Sequence, residues 1–169
     1  MPSVYFSLGS NVGDSPDILR TAIRDLAGAL GRVRSSRLWH SRPRYVVDQP
    51  DYVNAALCAD TEASPHELLD LAHRIEAAHG RDRSRERPKG PRSLDIDIVL
   101  YGDRLIVEPD LVIPHPGLAE RKFVLLPLLE LDPDLRHPAT GEALASILQR
   151  LPAQGIYLMT DPGYDRLYI

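Results

Sequence analysis

Cysteine is nearly absent. Cys58 is the single cysteine in 169 residues, so no intrachain disulfide and no cysteine-ligated metal cluster can form. It lies in an apolar run and reads as a small buried residue rather than a nucleophile. Long apolar runs are missing too. No stretch reaches a membrane-spanning length, and the amino terminus, M-P-S-V-Y-F-S-L, has no basic region ahead of an apolar one. The expectation is a cytoplasmic protein with no membrane partner. Positive charge is not in excess. With 20 Lys and Arg against 24 Asp and Glu the formal net charge is -4, which disfavours nonspecific binding to nucleic acid or anionic membrane. Repeats, low-complexity tracts and clear linkers are also lacking. The balance of 43% hydrophobic to 26% charged residues excludes the disordered class, and residues 1–169 are expected to form a single domain.

What is present concentrates in residues 80–101, where a basic, turn-prone loop runs into a strand. From Leu94 to Tyr101 apolar and other residues alternate, with β-branched Ile96, Ile98 and Val99 favouring a strand. Alternation turns Asp95 and Asp97 to one side while Leu94, Ile96, Ile98 and Leu100 face a core. Two carboxylates at that spacing stand roughly 7 Å apart and repel by about 2 kcal/mol at an effective dielectric near ~20. A positive group is expected between them, either a divalent cation such as magnesium or the nearby Arg92. Ahead of the strand, Arg81, Arg83, Arg85, Arg87, Lys89 and Arg92 crowd a loop shaped by Pro88, Gly90 and Pro91. An acidic pair beside an arginine-rich loop is the inventory that phosphoryl transfer requires, since that chemistry consists largely of positioning and neutralising phosphate oxygens. Taken alone, each part reads as a solvated strand end or a solvated turn.

Along the chain, residues 3–8 alternate as a strand into the turn Gly9-Ser10-Asn11. Ser15-Pro16 reads as a helix start, with Ile18, Leu19, Ala22, Ile23, Leu26 and Leu30 on one face and Gly31 as the stop. Residues 33–42 read as a strand. In residues 52–59, Val53, Ala55, Leu57 and Ala59 share one face and Tyr52, Asn54, Ala56 and Cys58 the other. Tyr52 and Asn54 together would suit a flat heteroaromatic ligand, although surface pairs of this kind are common. Ser64-Pro65-His66-Glu67 is a capping box opening a helix to about His79. Residues 103–113 read as a turn and strand, and Pro114 and Pro116 bracket His115, an imidazole able to meet a phosphate or serve structure alone. An apolar stretch from Val124 to Leu131 reads as a short helix begun at Pro127, and Gly141–Leu151 as a helix stopped by Pro152. The tail from Gly155 shows no motif.

The order of elements predicts an α+β fold of the ferredoxin-like βαββαβ type, an antiparallel sheet with both helices on one face and C-terminal additions. The other face would carry Asp95, Asp97, Tyr52 and Asn54. Two further readings stay open on these residues: a ferredoxin-like nucleic-acid-binding module, and a metal-dependent phosphohydrolase or nucleotidyl transferase with another acceptor. The first would put stacked aromatics where this chain has acids.

Four blocks in order, S-L-G-S-N-V-G-D, D-Q-P-D-Y-V-N-A-A, G-P-R-S-L-D-I-D-I-V-L-Y-G and I-P-H-P-G-L-A-E-R-K-F-V-L, resemble the 6-hydroxymethyl-7,8-dihydropterin pyrophosphokinase family. The resemblance runs from the first strand to about residue 150 and implies a ferredoxin-like enzyme that moves pyrophosphate from ATP to a pterin alcohol. It implies that Asp95 and Asp97 hold two Mg2+ ions, and that Arg81, Arg83 and Arg92 act on the transferring phosphates. Glu76, Arg92, Ile98, His115 and Arg121 would bind ATP. Ser41, Pro43, Tyr52, Asn54 and Phe123 would hold the pterin. The implied partners are these two small molecules, with no nucleic acid, and a monomer is expected with a dimer left open. The chain departs from the family at Pro88-Lys89, where many members have Arg-Trp, and at Tyr45, where glycine is frequent.

Overall fold

The computed structural model describes residues 1–82, 84–85 and 88–159. Strands β1 (Ser3–Ser10), β2 (Val33–Ser35), β3 (Trp39–Ser41), β4 (Tyr52–Asp60) and β5 (Asp95–Tyr101) alternate with helices α1 (Ser15–Leu30) and α2 (Pro65–Ala78). A small hairpin, β6 (Ile106–Val107) and β7 (Val112–Ile113), precedes α3 (Lys122–Leu131), α4 (Leu144–Arg150) and a last strand, β8 (Ile156–Leu158). The main sheet runs β5-β1-β4-β3-β8, with β2 also on β4, and each pairing is antiparallel. Counting β2 and β3 as one interrupted strand, this is the βαββαβ order expected. Among the described residues, no helix is long and apolar enough to cross a membrane.

Both faces of the sheet carry a core. Under α1 and α2, Val4, Phe6 and Leu8 of β1 meet Leu57 of β4, Leu19, Ile23 and Leu26 of α1, and Leu68 of α2. Each such leucine contributes roughly 2 kcal/mol through apolar burial. The opposite face, expected to be free, is covered along half its length. There α3 and α4 bring Leu125, Leu128, Leu144 and Ile147 onto Tyr5, Ala56, Cys58 and Leu100. The uncovered half is the cleft described below.

The second core explains a correction in β5. The ladder pairs Phe6 with Ile98 and Tyr5 with Leu100, so Val99 is a bulge that shifts the alternation by one residue. Leu100 therefore joins the core beneath α3 rather than the one beneath α1. The displaced Val99 carbonyl accepts the backbone N–H of His115 at 3.0 Å. That bond brings the imidazole's loop to the edge of β5.

Four other expectations change. Helix α1 is capped by Asp14, whose carboxylate accepts the Asp17 N–H, while Ser15 accepts the Ser10 hydroxyl at 2.9 Å. The strand read over 33–42 is interrupted because the Ser36 hydroxyl takes the Ala56 N–H at 2.9 Å in place of a ladder bond. Helix α3 begins at Lys122, five residues before Pro127, since Val124 and Leu125 both donate to the Arg121 carbonyl. The motif-free tail supplies β8, which lies along β3 with Ser41 opposite Ile156 and Trp39 opposite Leu158.

Candidate active site

The open half of the sheet is the floor of a cleft of about 320 Å3. Antiparallel register sets its layout: Gly9 of β1 lies between Asp95 of β5 and Asn54 of β4, and Ser7 lies beside Asp97. A β-carbon at Gly9 would sit 3.5 Å from Asn54 Oδ1 and 3.9 Å from the Tyr52 ring. Without one, the floor runs uninterrupted from an acidic end to an aromatic and amide end.

At the amide end, the Asn54 Nδ2 donates to Ser41 Oγ at 2.7 Å and to the Trp39 carbonyl at 3.3 Å. Its donors are thus engaged inward, and Oδ1 is the atom nearest Gly9 in the floor. Tyr52 donates its hydroxyl to the Gly90 carbonyl at 3.1 Å and lies 3.3 Å from Gln49 Oε1. Phe123 and Arg121, from the start of α3, form one wall, and Arg42, Arg44, Tyr45 and Gln49 another. The Arg121 guanidinium lies 5.8 Å from the Phe123 ring and 5.9 Å from the Tyr45 ring. It crosses above Gly117, where a β-carbon would lie 2.7 Å from its Cζ.

At the acidic end, arginine supplies part of the positive charge anticipated beside the carboxylates. Asp95 accepts from Arg81 at 2.6 Å and from Arg92 at 2.9 Å, one on each oxygen. The Arg81 side chain is 5% exposed and also pairs with the buried Glu76 at 2.8 Å. Glu76 is also tied to the sheet, since its Oε1 accepts the Ile96 N–H at 2.8 Å. Asp97 faces the His115 Nε2, 3.5 Å from its Oδ2. His115 Nδ1 accepts the Gly117 N–H at 2.9 Å, which leaves Nε2 to face the carboxylate.

These surroundings move two ionisations. Desolvation in the cleft, then the neighbouring charge of Asp95, push the Asp97 carboxyl up to about 7, with Arg121 pulling the other way. Desolvation and then Arg121 lower His115. Two carboxylates on one strand face, both lining the cleft, form a hard oxygen donor set that fits a divalent cation such as magnesium.

Three loops are held together by one buried amide. Asn11, 4% exposed, donates to Gln49 Oε1 and to the Pro50 carbonyl, each at 3.0 Å, and accepts the Arg92 N–H at 2.9 Å. Gln49 Nε2 then reaches the Val46 carbonyl at 2.7 Å and the Lys89 carbonyl at 3.2 Å. Gly9 and Ser10, expected in a turn, belong to β1, and Asn11 directly after it ties the Gln49 wall and the Arg92 loop to the floor.

Of the residues singled out by sequence, Ser41, Tyr52, Asn54, Arg81, Arg92, Asp95, Asp97, His115, Arg121 and Phe123 line this cleft. Glu76 is buried behind it, the Ile98 side chain lies in the core beneath the helices, and Pro43 is half-buried on the loop outside the lining. Arg83 lies outside the described residues. Arg42, Arg44, Gln49 and the Asn11 clasp went unassigned, although the S-N and D-Q-P segments were visible. Arg42 and Arg44 flank a proline, and only the tertiary fold turns them toward the cleft.

Comparison with known proteins gives a consistent likeness. Residues 5–133 match the model of the family described as 7,8-dihydro-6-hydroxymethylpterin-pyrophosphokinase. A 2-amino-4-hydroxy-6-hydroxymethyldihydropteridine pyrophosphokinase of Methylorubrum extorquens is 41% identical over 158 residues, covering 92% of this chain and 98% of its own. Its namesake in Pseudomonas aeruginosa is 38% identical over 159 residues, covering 90% and 94%. The folic acid synthesis protein fol1 of Schizosaccharomyces pombe is 45% identical over 156 residues, 91% of this chain. This chain spans about a fifth of the length of that protein and of its Pneumocystis carinii counterpart, at 21% and 20%. Among solved structures, a Plasmodium falciparum HPPK-DHPS triple mutant with STZ-DHP superposes with a TM-score of 0.72 at 16% identity, over 88% of this chain and 43% of that one, a likeness of fold.

Proposed function

The chain belongs to the 7,8-dihydro-6-hydroxymethylpterin-pyrophosphokinase family, and from that premise we propose that it transfers pyrophosphate from ATP to 6-hydroxymethyl-7,8-dihydropterin in folate biosynthesis. The observation that supports this reading best is the continuity of one cleft from the Asp95 and Asp97 pair to the Tyr52, Asn54 and Phe123 end. A flat acceptor and a polyphosphate can meet across Gly9. Residues 1–169 serve as a single domain acting on small molecules.

The pterin ring lies against Tyr52 and Phe123, and Asn54, braced by Ser41, reads its hydrogen-bonding edge through Oδ1. Pro43 stands at the rim. The ATP phosphates lie at the acidic end among Arg92, Arg121 and His115, with Arg81 held ready on Asp95 and Glu76 and with Arg83 completing the arginine set. Ile98 contributes to nucleotide binding through its place on β5. Asp95 and Asp97 would hold magnesium, two ions in this reading, and when bound it neutralises charge on the phosphate oxygens.

The hydroxymethyl oxygen attacks the β-phosphorus, the bond from that phosphorus to the bridging oxygen of the α-phosphate breaks, AMP leaves with that oxygen, and the hydroxyl proton is released. The chain's part is to align acceptor and phosphate and to set cations around a loose transition state. Held as they are, Arg92 and Arg121 need little reorganisation to meet that charge.

The test is a mixture of protein, Mg-ATP and the pterin alcohol, assayed for AMP and ADP separately. AMP that appears only with the pterin is expected. ADP, or AMP formed equally without pterin, would overturn the assignment.

A further inference from the structure

Helix α3 delivers three cleft residues from its start, Arg121 at the cap with Phe123 and Val124 two and three positions after it. Its cap is unusual, because Arg121 makes no side-chain capping bond and a guanidinium has no acceptor with which to make one. Gln154, 32 residues beyond Lys122, does the work instead. Its Oε1 accepts the Lys122 N–H at 2.9 Å and its Nε2 donates to the Glu120 carbonyl at 2.8 Å. One amide therefore brackets the Arg121 backbone on both sides, as a neighbouring strand would. The Glu120 carbonyl also accepts from Arg44 at 2.5 Å, which joins the bracket to the opposite cleft wall.

Gln154 is itself held. It precedes Gly155, at φ +63°, whose carbonyl accepts the Arg42 N–H at 3.1 Å, and β8 follows at once along β3. The rest of α3 stands without it, since Val124, Leu125 and Leu128 are buried against the sheet. What the bracket governs is the first turn alone.

We propose that Gln154 is a positioning residue for the transfer reaction, acting through Arg121; this rests on the functional reading above. The test is a double-mutant cycle with Gln154→Ala and Arg121→Ala, following kcat and KM for each substrate together with the thermal midpoint. Gln154→Ala is expected to lower kcat/KM roughly tenfold, the scale of a small misplacement of reacting groups, with the folded state retained. Gln154→Glu keeps the acceptor for Lys122 N–H but turns a carboxylate oxygen toward the Glu120 carbonyl, so it should do no better than Gln154→Ala. In the Arg121→Ala background, removing Gln154 should cost no more than about twofold further, because the two act as one unit. An equal factor in both backgrounds would overturn the proposal, as would wild-type kcat/KM in Gln154→Ala or in Gln154→Glu. If the wild type forms no pterin-dependent AMP, the functional reading fails separately, and calorimetric ATP affinity replaces kcat/KM in the same cycle with the same criteria.

Discussion

Asn11 ties stability to the site more directly than any single core residue. Replacing it by alanine deletes the three side-chain hydrogen bonds to Gln49, Pro50 and Arg92. At about 1 kcal/mol net for each bond, the loss is ~3 kcal/mol, and more if the Arg92 N–H stays buried without a partner. For a chain of this size, a loss of that order lowers the midpoint of thermal unfolding by roughly 6 to 12 °C. Urea unfolding at constant m-value measures it. Asn11→Asp separates the contributions. It keeps an acceptor for Arg92 N–H but cannot donate, and turns a carboxylate oxygen toward the Pro50 carbonyl, so it should be no more stable than Asn11→Ala. A loss below about 1 kcal/mol in Asn11→Ala, at unchanged m, would refute the clasp.

Two further predictions concern the acidic end and the α3 wall. The Asp97 carboxyl, raised to about 7, holds its proton in the native state where the unfolded chain has released it, so its contribution to stability falls as pH rises from about 4 to 7. Wild type should lose stability relative to Asp97→Asn across that window, with Mg2+ flattening the trend, and a gap in urea midpoint that stays constant or reverses would contradict this. His115, lowered in the fold, titrates with the opposite sign, its stability contribution rising with pH. Gly117→Ala places a β-carbon 2.7 Å from Arg121 Cζ and displaces the guanidinium. It should reduce kcat/KM on the order of tenfold with little change in thermal midpoint, and unaltered kinetics would show that Arg121 does not need that path.

The sequence made the site's chemistry legible where it obeyed a local period. Asp95 and Asp97 alternate with Ile96 and Ile98, Tyr52 with Val53, and Ser64 stands three residues before Glu67, so strand faces and the α2 capping box follow from spacing alone. The same alternation places Ile98 in the core, where its side chain is found. What stayed hidden depends on contacts distant in sequence. The Val99 bulge leaves no compositional mark, since a β-branched residue suits either register. Arg81 looks like one more loop cation until Glu76 and Asp95 converge on it. β8 is three residues long, too short to show a period, and the roles of Asn11 and Gln154 exist only once three loops and a helix end meet.

The most direct measurement follows the phosphates themselves. ATP labelled in turn at its α-, β- and γ-phosphorus is incubated with protein, Mg2+ and 6-hydroxymethyl-7,8-dihydropterin, and the pterin product is isolated. Transfer of the β and γ labels together, with the α label retained in AMP, is the predicted result. A pterin carrying the γ label alone, or no labelled pterin at all, would contradict pyrophosphoryl transfer in this cleft.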